Sequence, residues 1–177
     1  MKLTNHYAAL ALFVLMSILF THPTYAHVMV AQHGTLNIAE DGVYMVLSLP
    51  ITAFAGIDDN DDGRLSKAEF DLHRSAIVLA VKDQIVLADG NGKLDLKGLL
   101  LSPVTAHDSS TDSASQLIVM GRFEPPKPGS PLKYQVSLFG TQPSERVLEI
   151  TATNKMKALQ QAIRLTPDIN IMHLFAS

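Results

Sequence analysis

The chain has 177 residues, 47% of them hydrophobic, with 14 Lys+Arg against 17 Asp+Glu and a net charge of -3. That balance describes one ordinary folded domain and excludes disorder and collagen-like repeats. There is no cysteine, which removes disulfides, thiolate metal sites, a Cys nucleophile and lipid attachment through cysteine; no basic run invites nucleic acid, and the lack of Trp argues against a sugar-stacking platform.

Residues Met1 to Ala26 begin with Lys2, run apolar from Tyr7 to Phe20 with Ser17 as the interruption, and end Thr24-Tyr25-Ala26. This is the pattern of a secretory signal peptide. A membrane helix needs about 20 apolar residues, and this run is shorter and meets His22 and Pro23 at once. Cleavage after Ala26 is expected, leaving residues 27–177 as a single β-rich domain that is periplasmic or secreted. Losing Lys2 and no acid moves the net charge from -3 to -4. No later segment has about 18 uninterrupted apolar residues, so no membrane span is expected after cleavage.

Downstream, Val28 to Gln32 and Thr35 to Ala39 are β-prone, and Glu40-Asp41-Gly42 turns the chain into Val43 to Leu49. Similar runs recur at Gln84 to Ala88, Leu94 to Leu101, Gln116 to Phe123, Leu132 to Phe139 and Arg146 to Thr153. In one of them Leu132, Tyr134, Val136 and Leu138 alternate with Lys133, Gln135 and Ser137, the period of a half-buried strand. Turn chemistry separates the runs: Asp89-Gly90-Asn91-Gly92, the Ser/Thr/Asp-rich stretch 105–115, and a proline-rich join from Glu124 to Pro131. The expected fold is mainly β (α+β), an antiparallel β-sandwich-like domain with an inserted acidic loop plus helix. A C-terminal helix is expected from Asn154 to Arg164, stopped by Thr166-Pro167. Ile169 to Phe175 should then pack back on the sheet.

The insert carries the chemistry. Asp58-Asp59-Asn60-Asp61-Asp62-Gly63-Arg64-Leu65-Ser66-Lys67-Ala68-Glu69 places oxygen-bearing side chains at loop positions 1, 3, 5, 9 and 12 around a glycine at 6. Calcium is a hard cation that takes six to eight oxygens at about 2.3–2.6 Å, and a short loop can surround it only by winding back on itself. Gly63 permits the positive φ of that turn. Asp58, Asn60 and Asp62 alternate toward one point, Arg64 offers its backbone carbonyl, and Ser66 can contribute directly or through water. Without a cation, Asp58, Asp59, Asp61, Asp62 and Glu69 crowd five negative charges against Arg64 and Lys67.

These residues resemble the loop of EF-hand calcium-binding proteins at every position that carries chemistry, over 12 residues and the following helix. The resemblance implies one Ca²⁺ held by Asp58, Asn60, Asp62, Arg64, Ser66 and Glu69, with both Glu69 oxygens closing the shell and Leu65 beneath the ion. The exit helix is expected from Lys67 to about Lys82, with Phe70, Ile77 and Val81 among its apolar positions. The entering side departs from the family, because Pro50 leaves room for a turn or two of helix. A plainer reading uses the same residues: Ser66 and Glu69 form a capping box, and Asp-Asn-Asp-Gly strings are common surface turns. No second loop pairs with this one. Asp89 to Asp95 fails, since Gly92 at position 6 would put Leu87 at position 1 and Gly98 at position 12. A lone exported loop meets extracellular calcium and needs only the weak affinity class, which favours a structural staple for the excursion from Phe54 to Val81.

A second metal reading starts from the new terminus. A free His27 amine and imidazole could chelate copper or nickel with help from His33, His107 or His173 and from Met29, Met45 or Met172, an arrangement similar to the histidine brace of copper proteins. His73, beside Arg74, reads as surface. The strand pair ending Leu49-Pro50, the acidic loop with its helix and the late Leu165-Thr166-Pro167 resemble the exported soluble domains found with hydrogenase/urease accessory membrane proteins. That resemblance implies a periplasmic module serving a metal-permease system, with an envelope protein as partner, although the membrane helices of those proteins have no counterpart here. No Gly-x-Ser-x-Gly, His-Glu-x-x-His or phosphate-cradling loop occurs, so no enzyme is expected.

Overall fold

Alternating burial builds the first hairpin. In the computed structural model, which describes residues 31–105 and 113–176, strand β1 (His33–Ala39) turns Gly34, Leu36 and Ile38 inward. It pairs antiparallel with β2 (Gly42–Pro50) from Gly34↔Leu47 to Ala39↔Gly42. Glu40 and Asp41 make the two-residue turn, and Gly42 enters β2 at φ 151° where a Cβ would meet the Phe123 carbonyl at 2.5 Å. Only glycine fits there. The expected signal peptide, its cleavage site, His27, Met29 and His107 lie outside the described residues, as do Val28 to Val30; Ala31 and Gln32 form a turn ahead of β1.

After β2 the chain makes a 3₁₀ turn at Ile51–Ala53, the acidic loop, and helix α1 (Lys67–Gln84). It returns through β3 (Ile85–Asp89), the short β4 (Gly92–Lys93), β5 (Leu96–Thr105), β6 (Ala114–Phe123) and β7 (Leu132–Val136). It ends with β8 (Leu148–Asn154), β9 (Leu159–Leu165) and β10 (Ile171–Leu174). Six strands form one sheet in the order β5-β6-β2-β1-β8-β9, and four form another in the order β10-β7-β3-β4. The fold is therefore mainly β, with two antiparallel-rich sheets and a single α-helix among the described residues.

The expected antiparallel pattern holds with one exception: β1 and β8 run parallel, from His33↔Glu149 to Ile38↔Asn154. Both sheets feed a common core. Leu36, Met45, Leu47, Val119, Phe123 and Ile150 come from the larger sheet and Leu87, Leu132, Tyr134 and Val136 from the smaller, each at most 7% exposed. Burying side chains of this size contributes about 1.5–3 kcal/mol apiece. The Tyr134 hydroxyl meets Met45 Sδ at 3.3 Å within that core, and burial alone pushes its ionisation well above the usual range.

Two expectations at the C-terminus part company. Ile169 to Phe175 does return to a sheet, because β10 pairs with β7 from Ile171↔Gln135 to Leu174↔Leu132. The helix expected from Asn154 to Arg164 is not formed. Residues 155–158 are a turn and β9 pairs antiparallel with β8 from Asn154↔Leu159 to Leu148↔Leu165. Lys, Met, Ala, Leu and Gln favour helix in isolation, but β8 has β1 on one side and would leave its other row of backbone groups unpaired. As a strand the segment satisfies that row and buries Ile163 and Leu165 at the two-residue period.

Candidate metal centre

The acidic loop hangs between buried apolar anchors. On the entering side the 3₁₀ turn is followed by Phe54, 5% exposed, and Ile57, 2% exposed, with no entering helix beyond Ile51–Ala53. On the leaving side Leu65 is 1% exposed and exchanges both backbone hydrogen bonds with Ala114 at the start of β6, each 2.8 Å. The loop therefore docks by its eighth position onto the start of β6, an inner strand of the larger sheet. Helix α1 continues from it and turns Ile77 and Val81 into the core, with Phe70 packed alongside.

Between the anchors the backbone winds tightly. Asp61 at φ 56° and Gly63 at φ 74° are both left-handed, a conformation that Asp tolerates and glycine adopts without strain. The turn is held by carboxylates facing inward. The Asp62 N–H is shared by Asp58 Oδ1 and Asn60 Oδ1, each at 3.2 Å, so the first and third oxygens lie on the same nitrogen. Gly63 N–H donates to Asp58 Oδ2 at 2.7 Å and Arg64 N–H to Asp62 Oδ1 at 2.8 Å. Asn60 Nδ2 reaches Asp62 Oδ2 at 3.2 Å. Asp58, Asn60 and Asp62 are thus drawn to one side of the loop by its own backbone.

Glu69 is placed differently. Ser66 is the N-cap of α1: its Oγ accepts the Glu69 N–H at 3.2 Å, while Glu69 Oε2 accepts the Ser66 N–H at 2.8 Å. Its other oxygen accepts the Asp59 N–H at 3.0 Å. The hydrogen bonds from Ser66, side chain first, and then from Asp59 hold this carboxyl below its ordinary ionisation range. The capping box of the plainer reading is therefore present, and Glu69 joins the helix start to the loop start. A carboxylate oxygen that accepts one N–H keeps a further lone pair, so the cap leaves both Glu69 oxygens able to meet a cation.

The charges around the loop are unevenly matched. Lys67 pairs with Asp71 on the helix. Arg64 forms no ion pair, and its Nη1 is buried without a hydrogen bond among the described residues. Asp58, Asp61 and Asp62 consequently face no cationic side chain within ion-pair distance among those residues. Asp59 meets an imidazole, His73 Nε2 at 2.9 Å. That contact is absent from the sequence reading, which put His73 at the surface; its side chain is 20% exposed. The signal was available, since His73 lies one helical turn beyond Glu69 and shares the face that looks back at the loop.

Among the described residues no three His, Asp or Glu side chains form a ready metal cluster. In the loop, Asp58, Asp62 and Glu69 are therefore not gathered into a three-carboxylate group; Glu69 is held at the helix cap by the Ser66 and Asp59 N–H groups. Of the residues in the copper reading, His27, Met29 and His107 lie outside the described residues. His33 bonds the Ala31 carbonyl and faces Glu149, while His173 lies on β10 beside a different cleft. The set Asp58, Asn60, Asp62, Arg64 carbonyl, Ser66 and Glu69 is all oxygen, which fits a hard cation and not a soft one. No helix of the described residues is long and apolar enough to cross a membrane. No protein-family model matches the chain, and no curated protein is significantly similar to it.

Proposed function

We propose that this chain is an exported calcium-binding protein, periplasmic or secreted, whose EF-hand-type loop holds one Ca²⁺ as a structural staple for a sandwich-like binding or accessory module. The module is not an enzyme in this reading, and its partner is an envelope protein. The observation that carries the proposal is the single Asp62 N–H accepted by both Asp58 and Asn60, in a loop where three aspartates face no cationic side chain among the described residues. Asp58, Asn60 and Asp62 would supply side-chain oxygens, Arg64 its carbonyl, Ser66 a direct or water-mediated contact, and Glu69 the closing carboxylate. A bound ion offsets the repulsion among the acids and ties Ile57, Leu65 and α1 to one point, so it stabilises the folded state by mass action.

Thermal unfolding tests this directly. At a free calcium concentration about 100 times the Kd, one site adds about 2.7 kcal/mol, which for a chain of this size raises Tm by about 5–10 °C. The same concentration of magnesium, which demands a stiffer six-coordinate shell, gives a smaller shift. Glu69→Gln and Asp58→Ala each remove the calcium response. A folded wild-type protein whose Tm ignores calcium would end the proposal.

A further inference from the structure

A second site lies at the opposite kind of surface, an apolar cleft that no acidic loop residue touches. It opens where β1 and β8 end and β7 begins, and its more apolar lobe, about 360 Å³, is lined by Ile38, Leu132 and Met156 with Pro126 and Pro128 of the proline-rich join. That volume is within the range of small-molecule sites, which are mostly apolar with a few placed polar groups. Its polar lining is Glu40, Lys127, Ser130, Asn154 and Lys157, of which Ser130, Asn154 and Lys157 also line an adjoining lobe. Asn154 is 7% exposed. Its Oδ1 accepts the Lys157 N–H at 3.1 Å, which leaves its amide N–H donors without a partner among the described residues. Those donors are not sealed away from solvent and stand open to an acceptor that enters the cleft.

The charge of the cleft is asymmetric. Lys157 forms no ion pair among the described residues, Lys127 donates to Asn91 Oδ1 at 3.0 Å, and Glu40 is the acid that lines the same lobe. The turn that presents these groups is strained. Ala158, which closes it, sits at φ 51°, a left-handed conformation that a non-glycine residue rarely adopts. Met156, 55% exposed, and Lys157 line the cleft from this turn, and a flexible thioether wall adapts to an alkyl chain.

We propose that this cleft binds an amphipathic monoanion, an alkyl carboxylate whose head accepts from Asn154 and pairs with Lys157 while its chain lies on Ile38, Leu132 and Met156. The reading is independent of calcium, because the two sites share no residue. Octanoate below its micelle concentration is the probe, followed by amide and side-chain NMR shifts in the full chain. Saturable shifts are expected at the Asn154 amide, Met156 and Lys157. 1-Octanol, which keeps the chain and loses the charge, binds at least about tenfold more weakly. Lys157→Glu and Met156→Ser, both at exposed positions, keep the fold and each weaken octanoate by about tenfold or more. The proposal is overturned by shifts that do not saturate, by octanol binding as well as octanoate, or by Lys157→Glu binding like the wild type.

Discussion

The acidic loop and the β3–β4 hairpin are made of the same residues and do opposite things with them. Asp58 to Gly63 and Asp89 to Gly92 both string Asp, Asn and Gly together, and in both a leading aspartate accepts backbone N–H groups. In the hairpin, Asp89 Oδ1 takes the Asn91 N–H at 2.7 Å and its Oδ2 the Lys127 N–H at 3.1 Å, with the Lys127 ammonium on Asn91 beside it. One acid is matched by one lysine, and Gly92 and Lys93 are exposed. In the loop, three acids without a cation are bent around Gly63 and clamped between Ile57 and Leu65. Composition alone therefore does not distinguish the two; excess charge held in a closed turn between core anchors does, and on that difference we propose a metal site for the loop and not for the hairpin.

The largest expected effect breaks the anchors. Leu65→Ala removes a buried side chain from the loop's docking point and should cost about 2–5 kcal/mol, read as a fall in denaturant midpoint, whereas Lys93→Ala at the hairpin should change it by less than about 0.5 kcal/mol. Equal losses at the two sites would show that the loop is not clamped. Next is selectivity for calcium: Asp58→Ala should abolish the thermal shift of about 5–10 °C, and Asp89→Asn should leave it intact. A shift lost in Asp89→Asn would relocate the ion.

A smaller effect separates cap from ligand. Ser66→Ala removes the N-cap acceptor and should lower stability by about 1 kcal/mol with or without calcium, while retaining most of the calcium shift. The smallest is a pH effect at the hairpin. The Asn91 and Lys127 N–H groups hold the Asp89 carboxyl below its ordinary value. A carboxyl lowered on folding contributes fully above its unfolded-state pKa, and that contribution disappears as pH falls through the lower folded value. Asp89→Asn should therefore flatten the acid limb of the stability profile, measured by urea unfolding across pH 2–5, and an unchanged limb would assign the loss to other carboxylates.

Much of this was legible in order along the chain. The strand through Leu132, Tyr134 and Val136, the β3–β4 turn and the helix beginning after Ser66 are written in two-residue alternation, Asn-Gly chemistry and a capping box, all local signals. The oxygen set from Asp58 to Glu69 was equally local. The His73 contact to Asp59 needed only the helix period added to the loop.

What the residues determined by themselves is where the chain alternates, turns and gathers acid, because those depend on neighbours within a few positions. The tertiary structure decided the rest. Residues 159–165 became β9 because β8 offered a row of unpaired backbone groups stronger than helix propensity, and β1 met β8 in parallel across more than a hundred residues. Leu65 found Ala114, and the ends of β1 and β8 with the start of β7 left a cleft around Asn154, through contacts between segments whose pairing no short window of sequence contains.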